Sequence, residues 1–176
     1  NDPRGICFFN RSMGTLEYVE CYAAAPLSIP HVIDGSQHVQ AGYYCSLAFD
    51  HYGLPHISYK SMEGTGELKH AWKDRSGIWH NETVDNSSKT GDYTSIVIDK
   101  KDVPHISYVA RENELWYASV NESGWYTERI DFGGQFSNPS IDVDGQDRPR
   151  IAYYDSSGGD LKFAWWEPRI RARPFP

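Results

Sequence analysis

The chain repeats the five residues Pro55-His56-Ile57-Ser58-Tyr59, first as Pro104-His105-Ile106-Ser107-Tyr108 and then, with substitutions, as Pro149-Arg150-Ile151-Ala152-Tyr153. The stretch before each copy is repeated too, since residues 45–50 correspond to residues 94–99 and 139–144, at offsets of 49 and 45 residues. A looser copy, residues 3–8, lies near the start of the sequence. Self-similarity at this spacing is typical of repeat architectures, so we interpret the chain as four consecutive related units.

Each unit contains several short stretches with the composition of β-strands. A stretch that begins with leucine follows each copy after a polar turn, at Leu16, Leu68, Leu115 and Leu161. A fourth stretch spans residues 79–85 and 125–131, with a shorter counterpart at residues 32–34. Runs of β-branched and aromatic residues between clusters of Gly, Asn, Asp and Ser are strand and hairpin signals. No helical periodicity with capping residues competes with this all-β prediction.

A small four-stranded antiparallel sheet must bury both faces against its neighbours, and radial stacking of such sheets gives a β-propeller. The sequence therefore predicts one all-β, propeller-type domain over residues 1–176, with about 3.5 blades. We divide it into a partial blade (1–40), two complete blades (41–90 and 91–136) and a partial blade (137–176). Residues 168–176 are left open as a possible outer strand.

The incomplete ends predict a homo-oligomer, because exposed sheet edges promote association unless they are covered. A second copy could complete a ring as a closed dimer, or head-to-tail contacts could build a filament. The alternative is a self-contained four-bladed propeller with one defective blade.

These Pro-His-Ile-Ser-Tyr strands and the downstream Leu-x-Tyr-Ala strands resemble secreted β-propeller repeat proteins of the sialidase-like and lectin-like group. The resemblance covers nearly the whole chain and implies the propeller fold. Its implications for function are broader, because such propellers include lectin-like binders, enzymes and surface proteins.

Composition excludes several classes of partner. The chain is 39% hydrophobic and carries a formal net charge of −7, which would repel a phosphate backbone, so we expect no nucleic-acid partner. No apolar stretch is long enough to span a membrane. The one basic cluster, at Arg169, Arg171 and Arg173, is interpreted as a solvated tail or edge strand.

Glycosylation sequons indicate a secreted, extracellular glycoprotein. Four of the seven asparagines lie in Asn-x-Ser/Thr sequons, where chance predicts about one. The sequence also begins without methionine, which we interpret as a processed mature form. The four sequon residues are Asn10, Asn81, Asn86 and Asn121.

The three cysteines, Cys7, Cys21 and Cys45, match no zinc-binding spacing. They allow one internal disulfide with a thiol left over, or a bridge to another chain, and the sequence leaves the pairing open.

Aspartates recur at one turn of three units, at Asp50, Asp99 and Asp144. The spacing of Asp142, Asp144 and Asp147 superficially resembles a calcium loop. We favour a structural role, in which each carboxylate accepts backbone N–H bonds and closes its hairpin, and predict no metal or other cofactor.

A sialidase-like glycoside hydrolase is the least favoured function. Such a site needs an arginine cluster, a tyrosine beside a glutamate, and an acid, all at unique positions. Arg4, His56, His105 and Arg150 instead share one repeated column, and Glu82 and Glu128 are repeat-equivalent as well. We interpret the column as side chains that bond the neighbouring blade, with an anion-binding rim as the alternative, and predict that the protein is not an enzyme.

The favoured function is non-catalytic extracellular recognition with carbohydrate as the favoured ligand class, and the expected partner is a glycan or another copy of the chain. The alternative is a structural glycoprotein subunit of an extracellular assembly. Because neighbouring strand residues face opposite sides, Trp165 and Trp166 cannot both enter one core. The candidate ligand-binding residues are Trp72, Trp116, Trp165, Trp166, His56, His105 and Arg150.

Overall fold

The computed structural model describes residues 4–21, 28–111, 113–167 and 169–174, with side chains up to residue 166. Within these residues the chain forms fifteen strands and no helix, and therefore no helix that could cross a membrane. The strands build four antiparallel sheets in chain order, which confirms the prediction of an all-β fold made of propeller-like blades.

The first sheet has three strands and the second has four. The first consists of β1 (Gly5–Asn10), β2 (Thr15–Glu20) and β3 (His31–Gly35). The second consists of β4 (Ala41–Phe49), β5 (Pro55–Ser61), β6 (Glu67–Lys73) and β7 (Trp79–Asp85).

The third and fourth sheets have four strands each. The third consists of β8 (Asp92–Ile98), β9 (Pro104–Ala110), β10 (Glu114–Asn121) and β11 (Gly124–Asp131). The fourth consists of β12 (Phe136–Val143), β13 (Pro149–Asp155), β14 (Asp160–Glu167) and β15 (Arg169–Pro174). The last sheet is thus more complete than the partial blade expected from the sequence, because residues left open there form β15.

Apolar side chains are buried between successive sheets rather than in one central core. Leu16 and Tyr59 lie in the layer between the first and second sheets. Leu68 and Ile106 lie between the second and third, and Leu115 and Ile151 between the third and fourth. Each sheet therefore depends on its neighbour for burial of its apolar face, as the repeat pattern predicts.

A repeated tyrosine–aspartate hydrogen bond ties each sheet to the one before it. The buried hydroxyl of Tyr59 donates to Asp34 at 2.7 Å, and that of Tyr108 donates to Asp85 at 2.7 Å. Tyr153 repeats the bond to Asp131 at 2.8 Å. Burial, and then the facing carboxylate, raise the pKa of each of these tyrosines well above the ordinary value.

The recurring turn aspartates take the structural role predicted for them. Asp50 Oδ1 accepts from the backbone N–H groups two and four residues later, at 2.9 and 2.7 Å. Asp99 and Asp144 repeat both bonds in the next two units. Each carboxylate closes its β-hairpin, and the side-chain oxygen replaces water on two turn amides.

Strand register corrects one detail of the repeat alignment. Leu16 pairs with Phe9 as Leu68 pairs with Lys60, so Gly5 of the first unit occupies the place of His56. Arg4 therefore does not belong to the column of His56, His105 and Arg150. The sequence alignment was shifted by one residue because the first copy lacks the full Pro-x-Ile pattern.

Candidate functional site

An open cavity of about 440 Å³ lies where loops of the second and third sheets meet. The loop after β7 contributes residues 87–89, and the turn between β9 and β10 contributes Arg111. Glu114 at the start of β10 and Arg129 on β11 complete the lining. The N–H of Arg111 donates to the carbonyl of Lys89 at 3.2 Å, which fixes the two loops against each other.

Arg111 is held in place from two sides. Its guanidinium donates a hydrogen bond to the hydroxyl of Ser87, and its Cζ lies 4.3 Å from the centre of the Trp116 ring. Trp116 also packs against the buried cluster between the second and third sheets. The indole thus acts as a platform that positions the arginine, rather than as an open face for a ligand.

Glu114 organises the other side of the cavity. One of its oxygens accepts from Arg129 at 2.8 Å and the other accepts from the indole N–H of Trp116 at 3.1 Å. Glu114 and Arg111 are therefore linked through the same tryptophan. This arrangement presets a guanidinium and a carboxylate at fixed positions, which reduces the entropy lost when a polar ligand binds.

The lining carries an excess of positive charge. In the described part of the lining, Lys89, Arg111 and Arg129 accompany one carboxylate, Glu114, in a chain whose formal net charge is −7. Among the described residues, neither Lys89 nor Arg111 forms an ion pair. The charge composition of the cavity therefore favours a ligand that brings negative charge or many hydrogen-bond acceptors.

The backbone around the cavity is strained. Lys89, Arg111 and Asn113 have φ angles of 46°, 40° and 70°. These lie in the left-handed region, which residues other than glycine and asparagine rarely adopt. Two of these residues also line the cavity. Strain of this kind costs energy and clusters at ligand-binding loops.

The cavity chemistry is unique to the interface between the second and third sheets. Met62 and Ser156 occupy the place of Arg111 at the other two interfaces, as the equivalent backbone bonds to Gln40 and Gln135 show. Lys69 and Lys162 occupy the place of Trp116, one residue after the repeated leucine. Among the described sheets, the combination of Lys89, Arg111 and Trp116 therefore occurs at this interface and not at the other two.

Of the predicted tryptophans, Trp116 contacts a cavity residue while Trp72 lies elsewhere. Trp72 stacks on His70 and His80, with both ring-centre distances 5.2 Å. Trp165 stacks on Phe163 at 5.8 Å on the fourth sheet, and Trp166 is partly buried on the opposite side of the same strand. None of these three lines the cavity, and their role in ligand binding stays a prediction.

His56, His105 and Arg150 are bonded within their own sheets. His56 Nδ1 lies 3.0 Å from His70 Nε2, and burial together with the charge of His70 lowers the pKa of His56 to about 4. Arg150 donates to Asp144 at 2.6 Å. The expected hydrogen bonds from this column to the neighbouring sheet are therefore replaced by partners in the same unit.

His105 follows the same rule. Its Nδ1 lies 2.5 Å from the Tyr117 hydroxyl, and its Nε2 lies 3.4 Å from Asp99, the turn carboxylate of its own unit. Burial lowers the pKa of His105, and Asp99 opposes that shift. Since His56, His105 and Arg150 do not line the cavity, ligand binding by these three residues also stays a prediction.

The four sequon asparagines differ in access. Asn81, Asn86 and Asn121 are exposed, whereas the Asn10 side-chain nitrogen donates to Glu17 at 2.7 Å. Asn86 immediately precedes two serines that line the cavity. A glycan on Asn86 would therefore stand beside the cavity.

Sequence reasoning missed Lys89, Arg111, Glu114 and Arg129. For the three basic residues the available signal was departure from the repeat, because Gln40, Met62 and Thr83 occupy the places of Lys89, Arg111 and Arg129. Glu114 gave no such signal, since its equivalent is Glu67. These differences become visible once the strand register is known and the loop after β7 is seen to meet the turn between β9 and β10. Among the described residues, no cluster of His, Cys, Asp and Glu is suited to a metal ion.

Comparison with known proteins supports the fold. No family model and no curated protein matches the chain. A fucose lectin from Kordia zhangzhouensis, in complex with methyl-fucoside, superposes with a TM-score of 0.53 at 18% identity, covering 74% of this chain and 98% of the lectin. A mutant NanB sialidase from Streptococcus pneumoniae superposes with a TM-score of 0.58 at 15% identity, covering 98% of this chain but 28% of the enzyme. The chain therefore shares its propeller-like fold with a lectin and with part of a sialidase.

Proposed function

We propose that the protein is a carbohydrate-binding module and that its saccharide site is the cavity between the second and third sheets. The observation that carries this proposal is the set of Arg111, Glu114 and Arg129, held in fixed positions around Trp116. Guanidinium groups donate in pairs and a carboxylate accepts, which matches the alternating hydroxyls of a sugar ring. The likeness in fold to a fucose lectin supports the same class of ligand.

The positive charge of the cavity favours a saccharide that carries carboxylate or sulfate groups. A planar guanidinium bonds both oxygens of a carboxylate at once, and such charge-assisted bonds are about twice as strong as neutral ones. Lys89 and Arg111, which form no ion pair among the described residues, supply the charge. The ligand class is thus an acidic saccharide unit.

The proposed activity is binding rather than hydrolysis. Glycoside hydrolases usually place two carboxyl groups about 5 to 10 Å apart around the scissile bond. The described lining of the cavity contributes one carboxyl group, Glu114, and both of its oxygens already accept hydrogen bonds. Release of a fluorogenic leaving group from aryl glycosides, including sialosides, would contradict this proposal.

Titration calorimetry with acidic and neutral saccharides tests the site. Binding should be seen with a uronic-acid or sulfated oligosaccharide, should weaken as salt is raised, and should exceed binding of methyl-fucoside. Arg111→Met introduces the residue found at the equivalent place in the preceding unit, so the fold should tolerate it. Loss of one charge-assisted pair predicts a weakening of roughly tenfold or more.

The matched control is Arg75→Met, because Arg75 also stacks on an aromatic ring, Tyr52, at a position outside the cavity. This variant should bind as the wild type does. Equal losses in both variants, or saccharide binding that ignores Arg111→Met, would refute the cavity as the site.

A second candidate function, a subunit of an extracellular assembly, is favoured by the outward face of the fourth sheet. Tyr154 and Leu161 on that face are 42% and 60% exposed, whereas the repeat-equivalent Val109 and Leu115 are 2% and 0% exposed under the fourth sheet. An equivalent contact with a second copy would bury this face. Light scattering at increasing concentration should then show association that Leu161→Asp abolishes, and a stable monomer at all concentrations would exclude it.

Secretion and glycosylation complete the proposal. Three exposed sequon asparagines support an extracellular, glycosylated protein. Glycopeptide mass spectrometry of material from the natural source should find glycan on at least Asn81, Asn86 or Asn121, and bare asparagines at all three positions would contradict it.

A further inference from the structure

At one repeat-equivalent position between neighbouring sheets, a side chain of one sheet faces a side chain of the next. The residue types of this pair differ from one interface to another. Between the second and third sheets the pair is Ser58 and Thr94, whose hydroxyl oxygens lie 2.8 Å apart in a buried hydrogen bond. Ser58 lies on β5 and Thr94 on β8, so this bond crosses from one sheet to the next. It marks a point where two neighbouring sheets approach within direct side-chain contact.

The same position between the first and second sheets holds two cysteines. Strand pairing places Cys7 opposite Tyr18, two residues after the repeated leucine, as Ser58 lies opposite His70. Cys45 precedes Ser46, which pairs with Ser58 as Ser95 pairs with Ser107, so Cys45 occupies the place of Thr94. The two cysteines are therefore the repeat equivalents of the hydrogen-bonded Ser58 and Thr94.

The contacts around the two thiols agree with this equivalence. Strand β1 packs against β4, and both cysteines are partly buried against the same apolar cluster as Tyr18 and Tyr59. Both cysteines are free thiols in the structure, and each shifts the pKa of the other: Cys45 raises that of Cys7, and Cys7 lowers that of Cys45. The two thiols therefore lie near each other across the interface.

The third interface shows what the position needs. There the pair is Ser107 and Pro139, and proline offers no hydroxyl. The Ser107 hydroxyl is buried and has no hydrogen-bond partner among the described residues. At this interface the position is closed to water, so a polar side chain there lacks a partner unless the neighbouring sheet supplies one.

We propose that Cys7 and Cys45 form a disulfide bond that covalently joins the first sheet to the second. The sequence alone left the pairing open, and the structure selects it: Cys21 follows the end of β2, and its N–H donates to the carbonyl of Arg4, three residues before Cys7 in the chain. Cys21 remains outside the bond as a thiol.

The chemistry requires a small-molecule disulfide, such as oxidised glutathione, as the electron acceptor. The Cys45 thiolate attacks one sulfur of that disulfide, forms a mixed disulfide and expels one thiolate. Cys7 then loses its proton and attacks Sγ of Cys45, which forms the protein disulfide and releases the second small thiol. Two protein thiols are oxidised and one small-molecule disulfide is reduced to two thiols, so atoms and electrons balance.

The bond would join two sheets that pack against each other. Among the described residues the first sheet has three strands and the second has four, and β1 packs against β4. A disulfide that closes a loop on the order of 40 residues removes much of the freedom of the unfolded chain. The site would thus link the first sheet covalently to the second.

The experiment combines peptide mapping with thermal unfolding of the full chain. The folded protein is incubated with oxidised glutathione, alkylated, and digested without reductant. Before alkylation, we expect the intact mass to fall by about 2 Da from the loss of two hydrogens. After alkylation and digestion, we expect one alkylated cysteine and a linked peptide pair that contains Cys7 and Cys45. The thermal midpoint of the oxidised form should exceed that of the reduced form by on the order of 10 °C.

Two variants make the result decisive. Cys21→Ser should keep both the linked peptide and the midpoint shift. The double variant Cys7→Ser with Cys45→Thr carries the Ser58–Thr94 pair of the next interface, so it should fold, form no bond and show no midpoint response to oxidant.

Four outcomes would overturn the proposal. These are a linked peptide that contains Cys21, three alkylated thiols after oxidation of folded protein, a glutathione adduct on Cys45 that Cys7 fails to resolve, and a Cys7–Cys45 bond without any shift in midpoint.

Discussion

Replacing Tyr108 by phenylalanine tests how strongly the repeated tyrosine–aspartate bond holds the sheets together. The Tyr108 side chain is fully buried, and its hydroxyl donates to Oδ2 of Asp85 at 2.7 Å. The other side-chain bonds of Asp85 go to Oδ1, from the N–H and the hydroxyl of Ser87. The substitution therefore leaves one oxygen of a buried carboxylate without its partner.

The expected cost follows from the charge on the acceptor. A hydrogen bond to a charged group contributes about 1.5 to 3 kcal/mol. Water has little access to replace it here, because both side chains are buried. We therefore expect the free energy of unfolding of Tyr108→Phe to fall by about 2 kcal/mol. In a chain of this length that lowers the thermal midpoint by roughly 4 to 8 °C.

Urea unfolding followed by tryptophan fluorescence gives the measurement, with Tyr154→Phe as the control. Tyr154 is 42% exposed, so its variant should stay within about 0.5 kcal/mol of the wild type. A double-mutant cycle with Asp85→Asn should return a coupling of at least about 1 kcal/mol. Equal stability of Tyr108→Phe and Tyr154→Phe, or zero coupling, would refute the reasoning.

Three further predictions concern pH, the turns and the cavity. Burial lowers the pKa of His56 to about 4, so the unfolded state binds more protons than the folded state between about pH 6.5 and 4. The free energy of unfolding should therefore fall as pH falls through that window, by about 3 kcal/mol for His56. Urea titrations should show a weaker pH dependence in His56→Gln and an unchanged one in His38→Gln, where the histidine is exposed. Asp99→Ala removes the acceptor of two turn amides and should lower the free energy of unfolding in urea by about 1 to 2 kcal/mol. A chelator should leave the urea midpoint of the wild type unchanged. A lower midpoint in the presence of chelator would instead support a calcium site at this turn. A glycan on Asn86, beside the cavity, should weaken saccharide binding, and Asn86→Gln should restore it. Calorimetry on protein from a glycosylating host measures both affinities. Equal affinities with and without that glycan would contradict a saccharide site in this cavity.

The repeat pattern predicted the fold because the same physical constraint applies in every unit. Alternating apolar residues set the strands, the turn aspartates set the hairpins, and both recur at fixed offsets. The pattern failed at Arg4, where the first copy has drifted enough that a one-residue shift was invisible without strand pairing. It left β15 open because that strand lacks the tryptophan and aspartate that mark β7 and β11.

The candidate site was harder to predict because it depends on loops that are distant in sequence. Trp116 was among the expected residues, but the sequence suggested a stacking surface, whereas the structure covers the ring with Arg111. Arg111 and Arg129 stand out only once the register shows that Met62 and Thr83 occupy the corresponding places in the second sheet. Glu114 repeats Glu67 and does not stand out at all. The cysteine pair was hidden for the same reason, since its partners become evident by comparison with Ser58 and Thr94.

The most direct test of the proposed site is to follow the indole N–H resonances of the six tryptophans by NMR while a uronic-acid or sulfated oligosaccharide is added. Because Trp116 lies against Arg111 and bonds Glu114, its resonance should shift in a saturable way together with the amides of residues 87–89. The resonances of Trp72 and Trp165 should stay in place. Saturable shifts centred on Trp72 or Trp165, or a silent Trp116 at saturating saccharide, would contradict a saccharide site in the cavity between the second and third sheets.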